Sequence, residues 1–118
     1  MASLEISTNI ACRVQCDFCP QELLIEEYST RNNLKNISYG QPVQMSLDTF
    51  KKCVNKLPKS VLIEFTGYTE PFLNPECSKM ILHAYENGHT VLVYSTLVGM
   101  KLQDIDLIKH VKFKQFHI

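Results

Sequence analysis

Three cysteines, Cys12, Cys16 and Cys19, stand in the run Ala11-Cys12-Arg13-Val14-Gln15-Cys16-Asp17-Phe18-Cys19-Pro20, separated by three and then two residues. A loop with that spacing can curl all three sulfurs around one centre. Cysteine thiolates are the usual ligands of iron-sulfur clusters, and a cubane cluster has four irons. Three protein ligands therefore leave one iron open to a small molecule that coordinates through an amine and a carboxylate. A structural zinc ion would need a fourth ligand to complete its tetrahedron, and none of His83, His89, His110 and His117 is near the triplet in sequence. A ferredoxin-type electron carrier normally requires four cysteines per cluster. Cys53 and Cys77 are the remaining thiols, one on the apolar face of a predicted helix and the other in the first turn of the next, where cysteine packs as a small hydrophobe.

The elements that must position the triplet follow a strand-then-helix rhythm. Ser3 to Asn9 alternates Leu4 and Ile6 with polar residues, whereas Ser60 to Thr66 and Thr90 to Ser95 are dense in β-branched and other apolar side chains, as strands buried on both faces are. Val111 to Ile118 reads as a fourth strand. A helix is predicted from Ser46 as N-cap through Leu47, Phe50, Cys53, Val54 and Leu57 on one face, stopped by Pro58. A second has Asn74 as N-cap, Pro75 at its first position, Ile81, Ala84 and Tyr85 as an apolar stripe, and Gly88 as a left-handed stop. A third runs from Leu102 to about Lys109, with Leu102, Ile105 and Ile108 on a common face. The order β, α, β, α, β, α, β with short crossovers predicts an α/β fold of parallel strands covered by helices. Three to four such units make part of a TIM-like (β/α) barrel, which runs to roughly 250 residues. Residues 1 to 118 are accordingly expected to be the N-terminal half of a longer core domain, with the remainder of the barrel beyond residue 118.

One connection is out of scale: the segment from Ile10 to Met45, between the first strand and the first helix, is far longer than the usual few residues. It begins at the carboxyl end of a strand, where parallel α/β folds place their working groups, and it opens with the cysteine triplet. Further along it, Glu22, Glu26 and Glu27 beside Leu23, Leu24 and Ile25 predict a short amphipathic helix, read either as a solvated face or as a lid over a ligand. Glu64, inside the second strand, either points into the barrel toward a ligand or pairs with a cation in the core; the sequence leaves both open.

The CxxxCxxC spacing of Cys12, Cys16 and Cys19, the aromatic Phe18 before the last thiol and the position directly after the first strand resemble the signature of the radical S-adenosylmethionine (radical SAM) superfamily. That resemblance runs through nearly the whole chain. It implies a [4Fe-4S] cluster on the three thiolates, S-adenosylmethionine chelated to the open iron, and reductive cleavage of the sulfonium to a 5'-deoxyadenosyl radical that abstracts hydrogen from a substrate. The segment Phe65-Thr66-Gly67-Tyr68-Thr69-Glu70-Pro71-Phe72-Leu73-Asn74-Pro75, at the end of the second strand, is similar to the family's GGE segment in its longer GxGEPLLNP form. By that resemblance Gly67, Tyr68, Thr69 and Glu70 hold the methionyl amino group. A cationic ammonium wants carbonyl and carboxylate acceptors, and close backbone approach wants little side-chain bulk. The sequence departs from the pattern at Thr69, where a second glycine is usual; a positive φ there would strain threonine. The third strand ends in Tyr94-Ser95-Thr96-Leu97-Val98-Gly99, similar to the family's Thr-Asn-Gly ending but without the Asn; by that resemblance Ser95 and Thr96 face the cofactor or the substrate, and Ser95 is counted with the cofactor-binding residues. The longer GxGEPLLNP form is common among members with a SPASM or twitch extension, which carry auxiliary clusters and act on peptides or other biosynthetic substrates.

Composition narrows the remaining possibilities. With 45% apolar and 20% charged residues the chain is an ordinary globular one that buries a core. Its 12 basic and 12 acidic residues cancel, so no global field draws it to nucleic acid or an anionic membrane. No apolar run reaches the roughly 18 residues of a membrane span, and Met1 to Ile10 has no basic leader followed by an apolar stretch, so a cytoplasmic location is expected. Five cysteines, an odd number, speak against a disulfide framework. The expected partners are a small-molecule or peptide substrate and a low-potential electron donor of the flavodoxin or ferredoxin type. A competing reading from another class is a non-catalytic module in which an iron-sulfur or zinc site stabilises a partner interface.

Overall fold

The computed structural model describes residues 2–10, 21–32, 43–67 and 69–118. Its main sheet has four parallel strands in the order β1 (Ser3–Ile6), β4 (Leu62–Phe65), β5 (Val91–Tyr94) and β6 (Gln115–His117). Each strand lies beside the next one predicted, as in successive units of a β/α barrel. Helices α2 (Leu47–Val54), α3 (Cys77–Glu86) and α4 (Leu102–Ile108) make the crossovers. The α/β class, the parallel sheet and the partial barrel are as expected from the sequence.

Period-two alternation gives the sheet two unlike faces. The row Ile6, Phe65, Val93 and Phe116 runs across all four strands in register. With Ile63 and Val91 it packs against Phe50, Val54, Met80, Ile81, Ala84 and Ile108 in the main core. The neighbouring row, Glu5, Glu64, Leu92 and Gln115, projects from the opposite face. Glu64 thus lies on the face that a closed barrel would turn inward, half-buried, and no ion pair holds it among the described residues. On the same face Tyr94 and His117 stack with ring centroids 4.5 Å apart.

Helix punctuation is local and largely as predicted. Ser46 caps α2 by accepting the Thr49 N–H at 3.1 Å. After α3, Gly88 at φ +89° lets the His89 N–H reach the Ala84 carbonyl (3.1 Å) and its own N–H reach that of Tyr85 (3.0 Å), a left-handed stop that satisfies two carbonyls.

Several expectations are corrected. The first strand does not run on to Asn9: after Ile6 the chain turns away, and β2 (Asn9–Ile10) pairs antiparallel with β3 (Val43–Gln44). This clip brings together the two ends of the long connection that carries the cysteine triplet. The last strand is shorter than Val111–Ile118, because Val111 belongs to the core and pairing with β5 starts only at Gln115. Helix α3 starts at Cys77 rather than at Pro75, since Asn74 closes a separate turn in which its side chain accepts the Glu76 N–H (2.9 Å).

Cys53 is exposed and not packed. The α2 stripe centres between Phe50 and Val54, and at 3.6 residues per turn Cys53 lies about 80° off it. In α4 the buried side carries Leu107, Ile108 and half-buried Asp104, while Leu102 is 81% exposed and Ile105 46%. The Asp104 carboxylate sets this rotation by accepting the Ser78 hydroxyl (2.7 Å) and, as a cap, the Lys101 N–H (2.8 Å). The segment after the triplet is a twelve-residue helix, α1 (Gln21–Asn32). Leu24, Ile25 and Tyr28 are half-buried there, while Leu23 is exposed beside Glu22, Glu26 and Glu27. No described helix is long and apolar enough to cross a membrane.

Candidate cofactor site

The carboxyl ends of β1, β4 and β5 meet in a buried polar knot whose centre is Glu70. The residue is only 4% exposed, yet its carboxylate accepts four hydrogen bonds. One oxygen takes the Ser95 hydroxyl (2.7 Å) and the Phe72 N–H (3.1 Å), and the other takes the Thr96 N–H (2.7 Å) and hydroxyl (2.9 Å). Four donors fill the roughly four lone-pair positions of a carboxylate. Its backbone carbonyl is taken as well, by the Asn9 side-chain amide (2.8 Å) and the Leu73 N–H (3.2 Å). Glu70 and Ser95, both predicted to face a cofactor, are therefore brought together, and they bond to each other.

A second layer ties this knot to the root of the cysteine loop. Thr8 donates its hydroxyl to the Pro71 carbonyl (3.0 Å), and the Asn74 amide donates to the carbonyls of Thr8 (3.0 Å) and Met45 (2.8 Å). Thr8, Asn9 and Asn74 are all within 2% of complete burial. Sequence reasoning did not single out Thr8 or Asn9, and it gave Asn74 only the role of a helix cap. The available signal was a Thr-Asn pair at the end of the first predicted strand, separated from Cys12 only by Ile10 and Ala11, and a polar Asn between apolar and proline residues.

Gly67 has φ +103°, and a Cβ there would stand 2.1 Å from the Ser7 hydroxyl oxygen, so the glycine serves both a left-handed turn and a close approach to the end of β1. Thr69 does not carry the positive φ that would strain it. Among the described residues that are not glycine only Leu97 does, at +65°, in the loop whose Thr96 N–H is held by Glu70. Position 69 therefore does not call on the backbone freedom of a glycine.

Cys12, Cys16, Cys19 and Tyr68 lie outside the described residues, and among the described residues no group of three or more His, Cys, Asp or Glu side chains is poised to bind a metal. The other two thiols are well apart in character. Burial pushes the Cys77 thiol well above its usual range, and the nearby Glu70 and Asp104 carboxylates push the same way. A neutral buried thiol is neither a nucleophile nor a ligand. Iodoacetamide applied to the native protein at mildly alkaline pH is therefore expected to label Cys53 and spare Cys77 until denaturant is added; equal labelling of the two in peptide mass spectra would contradict the burial of Cys77.

The knot can be tested for its fit to the methionyl end of S-adenosylmethionine. With the Glu70 carboxylate saturated, two buried oxygens are left without a hydrogen-bond partner among the described residues: Asn9 Oδ1 and Thr69 Oγ1. Both adjoin Glu70, one through the Asn9 amide bonded to the Glu70 carbonyl and the other as its preceding residue. Orphaned buried acceptors cost about 1–3 kcal/mol each, and acceptors without donors fit a ligand that brings N–H groups.

No family model and no curated protein matches the chain. Among solved structures it is similar to BtrN in a crystal form described as a complex with AdoMet and 2-DOIA, with 15% identity over 98% of this chain and 44% of that one and a TM-score of 0.64. A selenomethionine form of BtrN in an open conformation matches with the same identity and TM-score over 48% of its length. The chain thus spans less than half the length of the structures it matches, and it shares their fold over that stretch.

Proposed function

We propose that the chain is the cluster- and cofactor-holding part of a radical SAM enzyme, in which Cys12, Cys16 and Cys19 hold a [4Fe-4S] cluster and Gly67, Tyr68, Thr69, Glu70 and Ser95 form the cradle for the methionyl end of S-adenosylmethionine. The observation that carries this reading is the knot itself. The strand end from which the cysteine loop departs is bonded, through Asn9 and Thr8, to the segment that resembles the family's GGE motif. A cluster loop and a cofactor cradle have to be held in fixed relation for one small molecule to touch both.

When bound, the cluster and S-adenosylmethionine would supply one-electron reduction and a hydrogen-abstracting radical. The chain supplies position. Three thiolates would hold the cluster, so loading releases protons and weakens as pH falls. Glu70 keeps the ends of β4 and β5 in register by holding Ser95 and Thr96, and the β2–β3 clip closes the base of the cluster loop. The sheet face bearing Glu5, Glu64, Gln115, Tyr94 and His117 would form part of the wall facing a small-molecule or peptide substrate, the latter being the class suggested by the FTGYTEPFLNP form. A low-potential flavodoxin or ferredoxin would deliver the electron.

The test is anaerobic reconstitution of the full-length protein with iron and sulfide, followed by dithionite and S-adenosylmethionine. Formation of 5'-deoxyadenosine, with a change in the electron paramagnetic resonance spectrum of the reduced cluster on adding S-adenosylmethionine, is the expected result. A protein that loads zinc, or one that loads iron yet gives neither signal, would instead be a metal-stabilised module.

A further inference from the structure

We infer that the ammonium group of S-adenosylmethionine is received by the side-chain oxygens of Thr69 and Asn9, and that Glu70 is a positioning residue whose carboxylate does not touch it. The inference rests on the function proposed above and concerns which atoms of this chain carry it out.

Hydrogen-bond capacity supports it from two sides. Every lone-pair position of the Glu70 carboxylate is occupied by Ser95, Thr96 and Phe72, and two of those donors are backbone N–H groups that cannot turn away. Both acceptor positions of the Glu70 carbonyl are occupied too. Beside this closed set stand two open ones, Asn9 Oδ1 and Thr69 Oγ1, buried and without partners among the described residues. The orientation of the Asn9 amide follows from its neighbours: the group facing the Glu70 carbonyl at 2.8 Å has to be the donating NH2, which leaves Oδ1 as the free end. An amide oxygen only accepts, so its missing partner is a donor. A threonine hydroxyl accepts equally well. An ammonium carries three N–H bonds and would satisfy both, with the strength of charge-assisted bonds.

The residue that departs from the family's pattern thereby acquires a role. Where a second glycine would leave only backbone, Thr69 adds a buried hydroxyl at the same place, without needing a left-handed backbone.

The experiment compares wild type, Thr69→Val and Thr69→Ser, each loaded anaerobically with its cluster, by calorimetric titration with S-adenosylmethionine and with its analogue lacking the α-amino group. Valine keeps the shape and removes only the hydroxyl; serine keeps the hydroxyl. The expected result is an affinity for S-adenosylmethionine about tenfold weaker in Thr69→Val, close to wild type in Thr69→Ser, and no change in the affinity of either variant for the desamino analogue. The unfolding midpoint of the unloaded Thr69→Val protein should be no lower than that of wild type, because no hydrogen bond is lost. An unchanged affinity in Thr69→Val, or an equal loss for both ligands, overturns the inference and leaves the proposed function standing. A cluster-loaded wild type that binds neither ligand overturns the proposed function and this inference with it.

Discussion

Replacing Cys12, Cys16 or Cys19 singly with alanine is expected to strip most of the iron from the anaerobically reconstituted protein and to bring formation of 5'-deoxyadenosine down to background. A cubane held by three thiolates has no redundancy on the protein side, since the fourth iron is the one left for the cofactor. Neither remaining thiol is placed to substitute. Cys77 is buried in α3 with its thiol held neutral, and Cys53 points to solvent from α2. Cys53→Ala is the matching control and should keep its iron and its cleavage activity. Iron and sulfide analysis with product chromatography reads both quantities. Full iron in a Cys16→Ala protein would remove the cluster from this loop, and stoichiometric zinc in the wild type would replace it with a structural ion.

The second large effect concerns stability. Glu70→Gln is isosteric and is often treated as conservative, but here it should destabilise the fold by about 3 kcal/mol. Each carboxylate oxygen of Glu70 faces a backbone N–H, one from Phe72 and the other from Thr96. A glutamine amide has to turn its NH2 toward one of them, setting donor against donor in a site that water does not reach. The hydroxyls of Ser95 and Thr96 can rotate to accept, but the backbone donors cannot. Chemical denaturation of the unloaded protein checks this, and it separates two roles. If Glu70 served only as a ligand to the cofactor, the unloaded variant would unfold at the wild-type midpoint and lose only cofactor affinity.

These two residue classes also mark how far the sequence could be read. The cysteine triplet is legible as a candidate cluster site because residue type and spacing within one loop are all that the proposal of thiolate ligation draws on. The parallel strands are legible too, since the short, β-branched apolar runs from Ser60 to Thr66 and from Thr90 to Ser95 alternate with longer helical patterns, and Gly88 marks a helix end through its own backbone freedom. Faces were harder. Leu102 and Ile105 fit a helical stripe with Ile108, yet α4 turns them outward because Ser78, 26 residues earlier, captures Asp104. A periodicity count assigns no weight to a single long-range hydrogen bond. The two-residue clip of β2 and β3 had no signature either, because strands that short lack a pattern and exist through their partners.

By itself the sequence determined the α/β class, the order of the units, the place of the cysteine loop after the first strand and the position of Gly67 and Glu70 at the end of the second. All of these follow from contacts between residues close in the chain or from the backbone demands of one residue. Only the tertiary structure decided that Glu70 spends its carboxylate on Ser95, Thr96 and Phe72, and that Asn9, 61 residues away, supports its carbonyl. Hydrogen-bond capacity is finite, and which donors use it up depends on which strand ends the sheet brings together.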